Sequence, residues 1–192
     1  MLEEIRWLPA GRKIKSRNYN ELQQDRLGVM IHFDDSGTDA GAMQWFEDPA
    51  CKVSYNYLVL DDGTYVIIAP ERYRAWHAGV CQPSNAKLAY TDANSAFIGI
   101  AAATNERVRA TPEQHFTIAW LTRQIFARHG WQADEVWRIT GHDAEAVYPQ
   151  LWNGKPHPLA GQRGRKIDPT GHRADDPIVS LARLRDYVPR IR

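Results

Sequence analysis

The chain has 192 residues, 43% hydrophobic and 24% charged. That length and balance suit one globular domain with a full core. A formal net charge of +1 leaves no global field to draw the chain to nucleic acid or a membrane surface, and no run approaches the roughly 20 apolar residues of a membrane span.

Residues 1–27 are polar and irregular, with a basic patch at Arg12, Lys13, Lys15 and Arg17. They are expected to form an N-terminal extension packed on the domain. Met1–Arg6 carries no apolar stretch of signal-peptide length, so synthesis in the cytoplasm is expected. Gly28–Phe33 is a short apolar run bounded by Gly and Asp, which suits a buried strand. Asp34-Asp35-Ser36-Gly37 is a loop signal. Thr38 or Asp39 then caps a short helix through Phe46, which Asp48-Pro49 stops. Val53–Leu60 and Tyr65–Ala69 flank Asp61-Asp62-Gly63-Thr64, a hairpin signal.

Ser95–Ala103 reads as the next strand. Thr111 caps a helix with Pro112 at its first position and Glu113 in its first turn. Phe116, Ala119, Trp120, Ile125 and Phe126 form its apolar stripe, and Gly130 ends it. Val136–Thr140 is expected as a short strand leading into Gly141-His142. Val147–Arg165, rich in Pro, Gly and basic residues, is expected to be a long inserted loop, uncommon unless functional or disordered. Pro177 should open a last helix with Ile178, Leu181, Leu184 and Tyr187 on one face. Strands and helices alternate around a central hairpin, so the expected fold is α/β, a mixed central β-sheet flanked by helices. It forms one domain over residues 28–192, with the insertion at about 147–165. Cys51 and Cys81 make no disulfide framework; free buried thiols are expected, with one bridge between them as the alternative. The late basic residues, including Arg163, Arg165, Lys166, Arg173 and Arg192, read as a solvated face. Of the seven Trp residues, Trp76 and Trp152 sit in polar, turn-rich contexts and are candidates for a binding surface; the others, Trp7 included, suit a core.

Three distant residues carry the chemistry. His32 ends one apolar run, His142 follows another through Gly141, and Asp168 follows Ile167. Two imidazoles and one carboxylate form a three-ligand set for a catalytic zinc with one position open to water. Such a zinc activates that water as a nucleophile at neutral pH. Spacing alone leaves the alternative open that each is an ordinary core or surface residue.

The order of short blocks adds to this. They are Val29-Met30-Ile31-His32, Val53-Ser54-Tyr55-Asn56-Tyr57-Leu58-Val59 with Asp62-Gly63, and Arg74-Ala75-Trp76-His77-Ala78-Gly79-Val80. Asn94-Ser95-Ala96-Phe97-Ile98-Gly99-Ile100, Thr111-Pro112-Glu113-Gln114, Gly141-His142-Asp143 and Gly164-Arg165-Lys166-Ile167-Asp168-Pro169 follow. In this order they resemble the zinc-dependent N-acetylmuramoyl-L-alanine amidases of type 2, a superfamily of AmpD-type, phage lysozyme-type and peptidoglycan recognition proteins. The resemblance implies His32, His142 and Asp168 as zinc ligands, Lys166 as a catalytic cation and Tyr55 as a catalytic phenol. It also implies that His77 and Trp76 contact substrate in the groove. The implied reaction is hydrolysis of the amide between N-acetylmuramic acid and L-alanine of the stem peptide. The alternative is a module that binds peptidoglycan or muropeptide without cutting it. The enzyme would act on muropeptides in the cytoplasm, or on the wall after release as in phage lysis.

Two departures stand out. AmpD-type enzymes carry an acidic residue just after the Ile-Gly-Ile strand, where this chain has Ala101; Asp34 or Asp35 is the nearby substitute, if they are more than loop residues. The step from His142 to Asp168 is also longer than in AmpD-type chains, and the inserted Trp152, Lys155, His157, Arg163 and Arg165 are expected to form one wall of the groove.

Overall fold

A computed structural model describes residues 11–14, 16–171 and 177–191. Residues 1–10 of the expected extension, with Trp7, lie outside the described residues, as do Lys15, Arg173, Arg192 and the side chain of Trp152. In chain order the elements are β1 (Arg12–Lys13), β2 (Tyr19–Glu21), β3 (Gly28–Phe33), α1 (Asp39–Glu47), β4 (Tyr57–Val59), β5 (Tyr65–Ile67) and β6 (Tyr73–Ala75). Then come α2 (Ala93–Ala96), β7 (Phe97–Ala102), α3 (Pro112–Arg128), β8 (Ile139–Gly141), α4 (His142–Glu145), β9 (Leu151–Trp152), β10 (Lys155–Pro156) and α5 (Leu181–Tyr187).

Six strands form the central sheet in the order β1-β5-β4-β7-β3-β8. β3, β4 and β8 run parallel to their neighbours through β7 and β3, while β4 and β5 form the antiparallel hairpin. The sheet is therefore mixed, as the sequence predicts. β3 and β7 are buried along their whole length, because parallel strands covered on both faces read as unbroken apolar runs.

Side chains alternate between the two faces. Val29, Ile31 and Phe33 of β3 join Ile98 and Ile100 of β7 and pack under Ile118, Leu121, Ile125 and Phe126 of α3 and Leu184 of α5. Met30 and His32 point to the other face, where Phe46 of α1 packs with Tyr55, Leu58 and Ala101. The bulk of the helical cover thus lies on one side of the sheet, and the chemistry lies on the other.

Local signals set the ends of the helices. Thr38 accepts from the Gly41 amide at the start of α1. Thr111 and Gln114 form a capping box at α3, with Pro112 in the first turn. Gly130, at φ 69°, supplies the left-handed residue after α3 that a side chain would resist.

The structure differs from the expected elements in several places. β4 covers only Tyr57–Val59 of the expected Val53–Leu60. Val136–Arg138 is a turn of 3-10 helix, and only Ile139–Gly141 pairs with β3. The turn lets the Arg138 guanidinium lie over both Trp131 and Trp137, at 4.9 and 4.1 Å from the ring centres. The last helix begins at Leu181 rather than Pro177, because Ser180 is the cap that accepts from the Arg183 amide; Ile178 and Val179 instead hydrogen-bond to the Thr170 and Pro169 carbonyls. Ser95 belongs to the one-turn helix α2, capped by Asp92, so β7 starts at Phe97. Cys51 and Cys81 are free thiols.

Residues 11–27 supply β1 at the edge of the sheet and β2, which pairs with β6. Residues 147–165 contain the small hairpin β9–β10 and bridges from Val147 to Arg163 and from Tyr148 to Ala160. Arg163 donates to the carbonyls of Gln82 and Pro83, and Arg165 to those of Ala78, Val80 and Val147. These two arginines fasten the insertion to the segment that follows β6.

Candidate metal centre

His32 is near the carboxyl end of β3, and its neighbour β8 runs directly into His142, the first residue of α4. Strand adjacency therefore brings the two imidazoles side by side, with ring centres 4.8 Å apart. Asp168 arrives from the far end of the insertion. Its own carbonyl accepts from the Asp143 amide at 2.6 Å, which ties its backbone to the start of α4.

One ligand atom from each of His32, His142 and Asp168 lies within 4.8 Å of the others. Asp168 Oδ2 is 2.7 Å from His32 Nδ1 and 3.1 Å from His142 Nδ1. The three residues are 0%, 3% and 7% exposed. Burial lowers the pKa of His32 to about 4, only partly opposed by Asp168, so its imidazole is neutral at pH 7, the form that binds metal. Burial also works against ionising Asp168, but the adjacent imidazoles of His142 and His32 outweigh it and hold the carboxyl well below the usual range. Two Nδ1 atoms and one carboxylate oxygen, gathered at one point, fit a zinc ion.

The second ring nitrogens are also occupied. His142 Nε2 is 2.7 Å from the Ala78 carbonyl oxygen, and His32 Nε2 is 3.0 Å from His77 Nδ1. α4 is anchored by Glu145, a buried carboxylate that accepts from the Thr140 hydroxyl at 2.8 Å, the Tyr90 hydroxyl at 2.6 Å, and the Ser84 amide and hydroxyl.

A cavity of about 560 Å³ opens over the cluster, and Tyr55, Trp76, His77, Asp34 and Lys166 line it along with His142 and Asp168. Lys166 is exposed on its rim. Tyr55 is buried, its ring centre 4.9 Å from that of His32 and 5.4 Å from that of Phe46. Burial first, and then the charge of Asp168, push its phenol well above the ordinary value, so it stays protonated. Trp76 is half-buried and donates its indole N–H to Asn20 at 3.1 Å. His77 is buried beside His32 and lines the same cavity.

Of the two loop aspartates, Asp34 is the one held in place: its Oδ1 accepts from the Thr104 and Ser36 amides. Burial pushes its carboxyl up to about 6. Of the inserted residues, Arg165 lines the cavity, while His157 stacks on Tyr148 with ring centres 4.8 Å apart. Sequence reasoning misses the Ala78 and Phe97 carbonyls and the Asn94 side chain. Main-chain acceptors carry no residue signature, so no sequence signal marks them.

Comparison with known proteins places this geometry. The N-acetylmuramoyl-L-alanine amidase A of Achromobacter lyticus is 28% identical over 169 residues, 86% of each chain. The crystal structure of a selenomethionine AmpD derivative superposes with a TM-score of 0.65 at 23% identity, covering 97% of this chain and 98% of that one. Staphylococcus aureus hydrolase AmiA, in complex with its ligand, gives a TM-score of 0.60 at 16% identity over 95% of this chain and 83% of that one. These structures share the fold. The family profile described as N-acetylmuramoyl-L-alanine amidase matches residues 23–171, and the chain belongs to that family.

Proposed function

We propose that the chain is a zinc-dependent peptidoglycan amidase, cutting the amide between the lactyl group of N-acetylmuramic acid and L-alanine of the stem peptide. The observation that carries this reading is the convergence of His32, His142 and Asp168 on one point, with His142 and Asp168 lining an open cavity. Family membership supports the bond that is cut.

Zinc bound there would supply a Lewis acid and an activated water at neutral pH. The chain's own residues do the rest. His32, His142 and Asp168 would hold the ion, next to the open cavity. Lys166, on the rim, offers a positive charge to the carbonyl oxygen as it becomes an oxyanion. Tyr55 keeps its proton and so donates a hydrogen bond to that oxygen. Trp76 and Arg165 bound the space in which the stem peptide lies.

The test uses purified peptidoglycan and the zinc-loaded protein. Free stem peptides with an N-terminal L-alanine should appear without new reducing sugar ends. His142→Ala should lose both zinc and peptide release. Full activity after the metal has been stripped, or no released peptide from the zinc-loaded protein, overturns the reading. Intact sacculus and soluble muropeptide, run side by side, show which substrate is cut faster.

A further inference from the structure

His77 follows β6 and stands against His32 at the cavity wall, only 6% exposed. The ring fits because residue 99 of β7 is glycine: a Cβ there would come within 2.8 Å of His77 Cγ. Its Nε2 is 3.2 Å from the Phe97 carbonyl oxygen, which can only accept. The proton of His77 is therefore on Nε2, and the lone pair is on Nδ1. That lone pair faces His32 Nε2 at 3.0 Å, so His32 must donate there. Its own Nδ1 is then left to face Asp168 and the centre with a free lone pair.

The same short segment sets the other imidazole. The Ala78 carbonyl accepts from His142 Nε2 at 2.7 Å, which leaves His142 Nδ1 bare toward the centre. Both residues of the segment are clamped by one side chain: Asn94 Oδ1 accepts from the His77 amide at 2.9 Å and the Ala78 amide at 2.7 Å. At the far end of the relay, Arg26 donates to the Phe97 carbonyl and to those of Asn94, Ser95, Glu71 and Tyr73.

We propose that His77–Ala78, held by Asn94, is the positioning element of the metal centre. It fixes the tautomer of both imidazole ligands, with His77 acting through His32. The proposal rests on the zinc reading above. Partners behind the ligands typically account for 10–100-fold in metal affinity.

The experiment measures zinc affinity by competition with a chromophoric chelator. His77→Leu removes the acceptor for His32 and should weaken zinc binding roughly 10–100-fold. His77→Asn places an amide oxygen where Nδ1 lies and should recover most of the loss. A folded His77→Leu protein that binds zinc as tightly as the wild type, even one less stable, overturns the proposal while leaving the zinc reading intact. Failure of the wild type to bind zinc sinks both. Should His77→Leu not fold, nitrogen-edited NMR of the zinc-loaded wild type decides. His77 is expected to carry its proton on Nε2, and a proton on Nδ1 overturns the relay.

Discussion

Ala101 lies in register with His32 across the β7–β3 pairing, fully buried in the cluster formed by Phe46, Tyr55 and Leu58. Register partners in a parallel pair share a face, so this is the strand position beside the first ligand. AmpD-type chains carry an acid there, and here apolar packing fills the space. Ala101→Glu should therefore bury an unpaired carboxylate and lower stability by several kcal/mol, with no gain in peptide release. Denaturant unfolding and a release assay check this together. A stable, faster Ala101→Glu enzyme would show that the cluster has room for a working carboxylate.

Tyr55 takes over part of that space, with its ring between Phe46 and His32. Tyr55→Phe keeps the ring and removes only the hydroxyl. Loss of one oxyanion donor should reduce kcat roughly 100-fold, while zinc content and the melting temperature stay close to wild type. An unchanged kcat would remove Tyr55 from the chemistry.

The parts of the molecule legible in the sequence are those whose cause is local. β3 and β7 show as apolar runs because both faces are covered, and α3 shows through Thr111, Pro112 and Gln114. β2 and β6 do not show, because Tyr19–Glu21 and Tyr73–Ala75 pair with each other over a long separation and carry little alternation. The ligand set shows through residues that end or follow short apolar runs. What orients the ligands does not, because it depends on the Ala78 and Phe97 carbonyls and on the space left by Gly99. His77 reads from its motif as a groove residue, and it does line the cavity; only its distances to His32 and Phe97 show that it also touches the ligand.

Glu145 connects α4 to the segment around Ser84 and Tyr90 and to Thr140 of β8. It is fully buried, so truncation strands several donors without water. Glu145→Ala should cost about 3 kcal/mol, which for a chain of this length corresponds to a fall of roughly 6–12 °C in Tm. Because α4 begins with His142, zinc affinity should fall as well. Calorimetry with and without zinc checks both effects, and a Tm within about 2 °C of wild type would show that the donors find other partners.

Glu71 gives the fold an acid-sensitive contact far from the metal centre. Burial alone would raise its carboxyl, but hydrogen bonds from His129, Arg128 and Tyr57 outweigh it and bring the pKa down from 4.5 to about 2. A carboxylate depressed in the folded state adds stability above its unfolded value and loses it as pH falls through the folded one. The window therefore runs from about pH 5 down to about pH 2. The full shift would amount to about 3 kcal/mol, but Arg128 is 48% exposed, and solvent screening reduces the contribution to about 1–2 kcal/mol. Glu71→Gln should thus be less stable than wild type by that amount at pH 7. The difference should close as both proteins are taken toward pH 2, because the wild-type carboxyl is then becoming neutral. Urea unfolding at a series of pH values reads this directly, and a gap that stays constant from pH 7 to pH 3 would mean the Glu71 charge contributes nothing.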